Sequence, residues 1–247
     1  MSRAVLLFHQ GWADIFNSLP LINYYASKYS SLTVLIRSDS APIVEYYTKN
    51  MAGVHIDYQD LSFIDMNKNR LVEMYADCDL LFIGLHDYLR KDDYRASFSN
   101  NYQSMFFVEK FYACYGVDYV NRIHCFDLPR NLEVENNTYK DFVAEYGKEY
   151  VIFHEDPERG LVIDKSKVPI DIPWVNVNQR SKIIFDYVQV LAHAKEVHMI
   201  DSTWAAAAYQ IDTKYSLFKH IPIHIHCIRG YRDMFIHPLK LSNWDII

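Results

Sequence analysis

The sequence predicts an α/β protein made of two units, each an open, mostly parallel sheet. Three observations carry this. Short apolar runs alternate with longer amphipathic segments along the chain. Two of the apolar runs pass directly into residues that open a helix. The alternation also restarts after a polar stretch near the middle of the 247 residues. Strands separated by helical segments imply right-handed crossovers and parallel pairing.

In the first half, Ala4 to Phe8 reads as a buried strand. Asp14 to Tyr29 reads as a helix, because Ile15, Leu19, Ile22 and Ala26 recur at three and four residues. Pro20 is expected to kink that helix or to begin a second one. Leu32 to Ile36 and Val54 to Tyr58 are the next strands, with a helix at Ala41 to Asn50 between them. A helix at Asn67 to Ala76 precedes the strand Asp79 to Ile83. His86 to Asn101 is polar with no period and reads as a long loop, and Tyr102 to Tyr115 as an aromatic-rich helix. Asn131 to Gly147 reads as a linker running into a polar helix.

The second half repeats the logic, with strands at Tyr150 to Phe153, Trp174 to Val177 and Val197 to Ile200, and a last one at Ile221 to Cys227. Asp156 to Pro173 reads as a loop. Helices are expected at Ser181 to Ala194 and Thr203 to Gln210. Asp79 to Gly84 and Glu196 to Asp201 share one layout: an acid, four strand residues, then a turn. The expected units are therefore residues 1–130 and 131–247, with sheets facing a central cleft.

Composition narrows the function. Half of the residues are hydrophobic, which supports a sizeable core, and the formal charge of −6 disfavours broad nucleic-acid binding. The 20 tyrosines and 14 phenylalanines read first as core and secondarily as surfaces for sugar or base rings. Cys78, Cys114, Cys125 and Cys227 form no C-x-x-C pair and suit neither a zinc site nor a disulfide framework, so free thiols in a reducing cytoplasm are expected. No apolar run approaches the roughly 20 residues of a membrane span, and the N-terminus enters a strand too soon for a signal peptide.

The chemistry concentrates at strand ends. His9-Gln10-Gly11-Trp12-Ala13-Asp14 follows the first strand. Gly11 would let the backbone turn tightly and approach a ligand. Two roles are open to Asp14: a first-turn carboxylate complementing the helix dipole, or a general base taking a proton from an acceptor hydroxyl. His154 to Gly160 leaves the first strand of the second half, where open α/β sheets bind ligands. Arg159 could clamp a diphosphate and His154 could orient sugar or phosphate, although a solvated loop reads equally well. Asp201-Ser202-Thr203 opens an alanine-rich helix. Its hydroxyls and free N–H groups could hold a diphosphate, or it is a plain cap.

Two further patterns suggest a metal. His220-x-x-x-His224-x-His226 invites a metal, but no Cys, Asp or Glu nearby in sequence completes a ligand set, so none is expected. Asp77-Cys78-Asp79 matches a short acidic pattern of metal-dependent sugar transferases, but Asp79 begins a strand and reads as a strand-start acid.

His9 to Asp14 followed by Pro20 resembles the N-terminal G-x-G-D…P signature of the heptosyltransferase-like (ADP-heptose:LPS heptosyltransferase) transferases, with Ala13 in place of the second glycine. Ile183 to Ala208 resembles their C-terminal pattern of helix, short strand and Asp-Thr or Asp-Ser turn into an alanine-rich helix. Fucosyltransferase-like enzymes have a similar Asp-Ser turn. The resemblance implies a GT-B fold of two Rossmann-like domains, an acceptor-side domain first and a nucleotide-sugar-binding domain second. It implies transfer from a nucleotide-diphosphate sugar to a saccharide or other hydroxyl acceptor, with inversion and without a metal or other cofactor. By position it makes Asp14 the base, and Ser202 and Thr203 phosphate contacts. The competing expectations are a nucleotide-sugar epimerase or hydrolase, a non-catalytic nucleotide-sugar-binding protein on the same fold, and a histidine-based metal hydrolase.

Overall fold

The computed structural model describes residues 2–8, 11–58, 68–83, 107–167, 171–177, 183–229 and 243–247. The expected loop at His86 to Asn101 lies outside the described residues, as do His9 and Gln10. Two compact units divide the chain, Met1–Asp127 and Leu128–Ile247.

The first unit holds β1 (Arg3–Phe8), β2 (Ser31–Ile36), β3 (Val54–Tyr58) and β4 (Asp79–Ile83). All pair in parallel, in the order β3-β2-β1-β4. β1 is buried on both faces from Ala4 to Phe8, which explains why its sequence is an unbroken apolar run. Helix α1 (Trp12–Ala26) follows β1, α2 (Ala41–Thr48) follows β2, and α3 (Lys68–Met74) precedes β4. Leu71 of α3 packs with Val5, Leu7 and Leu35 on one face of the sheet. The unit closes with α4 (Phe107–Ala113) and the short α5 (Asn121–His124), both packed on α1.

Pro20 neither divides nor ends α1, which runs unbroken through it. A proline at this position cannot donate to the carbonyl four residues back and crowds the preceding turn. The buried Tyr112 hydroxyl from α4 donates to the Asn17 carbonyl at 2.7 Å, so a partner from outside the helix serves the backbone of that turn.

The second unit holds α6 (Leu132–Tyr146), β5 (Val151–His154), β6 (Trp174–Asn176), α7 (Val188–Ala192), β7 (Glu196–Ile200), α8 (Thr203–Tyr215), β8 (Ile223–His226) and β9 (Trp244–Ile246). Its sheet is parallel throughout, in the order β6-β5-β7-β8-β9. The expected linker is helical almost from its first residue. Asn131 caps α6 by accepting from the Val134 N–H (3.3 Å), and Gly147 ends it at φ 84°.

Three expectations are corrected. The helix expected from Ser181 is, in its described part, a 3₁₀ turn at Ile184–Tyr187 followed by the single short helix α7. Ile184, Phe185, Tyr187 and Val188 are all buried, so the segment keeps its expected core contacts although its first turn is 3₁₀ rather than α. Helix α8 continues past Gln210 to Tyr215, because Ile211 and Asp212 are also buried. Finally, β8 is not the last strand. β9 adds to its edge, too short at three residues to show any periodicity.

Candidate functional site

In an open parallel sheet, ligands bind beyond the carboxyl ends of the strands where the strand order reverses. In the second unit β5 connects to β6 on one side, and the chain then returns to lay β7, β8 and β9 on the other. The reversal falls between β5 and β7. His154 ends β5 and Asp201-Ser202-Thr203 follows β7, so these residues stand side by side at that point. The Ser202 Oγ and His154 Nδ1 are 3.1 Å apart.

The contact has a local cause. Ser202 is the N-cap of α8, extended at φ −138° and ψ −177°, and its Oγ accepts from the Ala205 N–H at 3.5 Å. Having accepted that bond, the hydroxyl can donate its own proton to Nδ1, which places the imidazole N–H on Nε2. The His154 ring also stacks against Trp204 (centroids 6.1 Å, 30°), which meets Tyr187 edge-on at 5.6 Å. His154 and Ser202 are each 6% exposed, so the pair is held rather than solvated. Ala205 to Ala208 are buried, and their small side chains bring α8 close to β7. The first intrahelical bond is donated by Ala206 to the Ser202 carbonyl (2.9 Å), leaving the N–H groups of Thr203 and Trp204 ahead of the helix ladder.

Asp201 takes a different role from the one expected. Its carboxylate is buried and its Oδ1 accepts from the Arg229 N–H at 2.9 Å, while the Arg229 guanidinium reaches the Asp201 carbonyl at 3.4 Å. Asp201 thus ties the end of β7 to the segment leaving β8 and brings Arg229, an exposed cation, to the same edge of the sheet. Sequence reading overlooked Arg229 because nothing local marks it. Only the β7–β8 pairing puts it beside Asp201.

Arg159 sits in a 3₁₀ turn (Pro157–Arg159) whose N-cap is Asp156, with Gly160 closing the turn at φ 71°, a backbone state that favours glycine. The guanidinium pairs with the Asp156 carboxylate. Partial burial pushes the Asp156 pKa up, but the hydrogen bond and charge of Arg159 act together against it and hold the carboxyl below its usual value. The Arg159 side chain is 66% exposed. Exposed pairs contribute only about 0–1 kcal/mol, so a diphosphate can draw Arg159 away at little cost. The loop beyond is anchored by the buried Glu155, which accepts from the Ile163 N–H and Lys165 Nζ, each at 3.1 Å.

In the first unit the order reverses between β1 and β4, and the helix that follows β1 opens with Gly11 and Asp14. Gly11 is the N-cap of α1 at φ −67° and ψ 168°, extended backbone that any residue adopts. The expected need for glycine to turn the chain is therefore not met. Asp14 is the third residue of α1, partly buried in its first turn, with Oδ2 turned back to 3.8 Å from where a Gly11 Cβ would stand.

Away from these edges, one sheet face carries a histidine cluster. His198 and His224 are register partners on β7 and β8, stacked with centroids 4.5 Å apart. His198 Nδ1 lies 3.1 Å from His226 Nε2, and its Nε2 lies 3.2 Å from Glu196 Oε2. Burial pushes the His198 imidazole below its ordinary pKa, against the pull of Glu196. His220, one of the three histidines of the sequence pattern, is exposed in the turn before β8.

Two parallel sheets, each with one reversal of strand order, make the chain an α/β protein of GT-B type, the fold expected from the heptosyltransferase-like resemblance. The fold is shared with the glycosyl transferase family 9 structure from Veillonella parvula DSM 2008, at a TM-score of 0.57 and 7% identity over 100% of this chain and 85% of that one. The E. coli heptosyltransferase WaaC with ADP-2-deoxy-2-fluoro heptose is similar at a TM-score of 0.47 and 12% identity, over 99% of this chain and 92% of that one. No protein-family model and no curated protein matches the chain by sequence.

Proposed function

We propose that this protein is a glycosyltransferase that moves a sugar from a nucleotide-diphosphate donor to a saccharide or other hydroxyl acceptor, with inversion. The observation that carries the reading is the His154–Ser202 contact at the order reversal of the second unit, beside the N-terminus of a 13-residue helix. Backbone N–H groups and a helix dipole directed at one spot suit a diphosphate.

The second unit binds the donor. The Thr203 hydroxyl and the Ser202 and Thr203 N–H groups at the helix start, Arg159 from its exposed pair with Asp156, and His154 contact the diphosphate and sugar. Asp201 supports that edge from beneath. Asp14 of the first unit takes the proton from the acceptor hydroxyl. The acceptor oxygen then bonds to the anomeric carbon as the bond to the diphosphate oxygen breaks, and the nucleoside diphosphate leaves with the electron pair. Negative charge grows on the leaving group, where Arg159 and the helix N-terminus are worth most. Transfer on this plan needs no divalent cation at the diphosphate, and added Mg²⁺ should not raise its rate. The fold shared with a glycosyl transferase family 9 structure supports this reading by analogy.

Asp14→Asn is the test. It should reduce transfer by at least about a hundredfold, the usual scale for a general base. Donor-induced thermal stabilisation, measured across a panel of nucleoside diphosphates and their sugars, should be unchanged. A well-folded Asp14→Asn variant that transfers normally, or that no longer binds donor, would refute the role of Asp14. A panel in which no nucleotide stabilises the wild type would refute the donor site.

A further inference from the structure

We propose that Glu196, His198 and His224 form a binding site for a divalent cation of the zinc class, on the face of the second sheet. One ligand atom from each lies within 4.8 Å of the others. Glu196 and His198 are two residues apart on β7 and so share a face, and parallel pairing sets His224 of β8 directly beside His198. Two imidazoles and a carboxylate are a borderline donor set suited to Zn²⁺, with Cu²⁺, Ni²⁺ and Co²⁺ as competitors.

The distances fit the ion. Metal–ligand bonds of about 2.0–2.1 Å in a tetrahedron put neighbouring ligand atoms roughly 3.3–3.4 Å apart. Glu196 Oε2 and His198 Nε2 already stand 3.2 Å apart. His224 closes the remaining distance when its ring splays from the near-parallel stack on His198 (20°), a side-chain rotation that leaves the strand register unchanged.

The groups behind the ligands match as well. His198 Nδ1 meets His226 Nε2 at 3.1 Å, so with Nε2 on the metal the Nδ1–H donates to His226 and fixes the tautomer. Among the described residues the buried His224 Nδ1 has no hydrogen-bond partner, and Asp245 Oδ2 faces it at 3.8 Å from the register-paired position on β9. Rotation of the ring can close that gap and leave Nε2 for the cation. Glu196 and His224 are partly exposed, at 30% and 24% of their side chains, which admits the ion and a water as fourth ligand.

The site is not the transfer centre. Ser202 lies four residues on from His198, roughly 13 Å at the rise of an extended strand. The cation instead clamps β7 to β8, the strands that position Ser202 and Arg229. This assignment does not depend on the glycosyl-transfer reading.

The test is titration of Zn²⁺ into chelator-stripped, tag-free full-length protein by calorimetry, with Co²⁺ absorption reporting the coordination geometry. The expected result is one equivalent bound, a raised Tm, and tetrahedral Co²⁺ bands. Glu196→Gln and His224→Asn should each weaken binding by at least about a hundredfold, and Asp245→Asn by about tenfold. Metal-free Tm and circular dichroism show that each variant is folded. Absence of Zn²⁺ binding by the wild type, or equal affinity in folded Glu196→Gln and His224→Asn, would overturn the site.

Discussion

Ser202 serves two structures with one hydroxyl. Its Oγ accepts from the Ala205 N–H and meets His154 Nδ1. Ser202→Ala removes both, leaving the helix start uncapped and the buried imidazole without that partner. Loss of a cap costs about 1 kcal/mol, which for a chain of this size lowers Tm by roughly 2–4 °C. Donor affinity should fall as well, while Ser202→Thr should restore most of the stability. Arg159 behaves differently, because its partner Asp156 is local and the guanidinium is exposed. Arg159→Gln should leave Tm nearly unchanged but weaken donor binding by about tenfold, the scale of one charge-assisted hydrogen bond. It should also raise the Asp156 pKa, since Arg159 is what holds that carboxyl down. A carboxyl NMR titration reads this directly. The sign follows from linkage. A depressed carboxylate pKa stabilises the fold above the unfolded value and loses that contribution as pH falls, so the variant should lose less stability on acidification.

Among elements, α8 is tied into the second unit at both ends. Its N-terminus is fixed by Ser202 and its C-terminal half by Asp212, which is 1% exposed. Asp212 Oδ1 accepts from the Phe218 N–H at 2.7 Å and Oδ2 from Trp244 Nε1 at 3.0 Å, joining α8 to β9. Asp212→Ala leaves two buried donors without these partners, at about 1–3 kcal/mol each. Denaturant unfolding should therefore show a loss of about 2–6 kcal/mol, whereas Asp212→Asn should lose less because its amide oxygen still accepts. Elements with strong internal patterns were legible in the sequence. β1 announces itself as an unbroken apolar run, and Val54–Tyr58 and Asp79–Ile83 carry the expected bounds. The 3₁₀ turn at Ile184–Tyr187 was not legible, because its apolar spacing fits one face of an α-helix equally well. Nor was β9, which is a strand only because β8 offers an edge.

For the whole molecule, each unit's sheet reverses its order once. In each, the first strand (β1 or β5) lies between the next strand (β2 or β6) and a later one laid on its other side (β4 or β7), and Asp79–Ile83 and Glu196–Ile200 of the matched segments are those later strands. The echo in sequence thus marks the point of order reversal in each unit. Asp14 lies in one unit and the proposed donor contacts lie in the other. That separation is why Asp14→Asn is expected to dissociate catalysis from nucleotide binding, whereas Ser202→Ala and Arg159→Gln act on binding first.

The sequence by itself determined that the chain alternates strand and helix, that its strands are parallel, and which residues stand at strand ends. These follow from periodicities of two and 3.6 residues, which are local. Only the tertiary structure decided which of those residues meet. His154 and Ser202 are 48 positions apart, and His198 and His224 touch because β7 and β8 are neighbours. Strand order is fixed by crossovers packing the helices against the sheet, a collective property that no short window of sequence carries. The same order turned Asp201 inward as a structural anchor, brought Arg229 to its side, and set Glu196 and His198 of β7 beside His224 of β8.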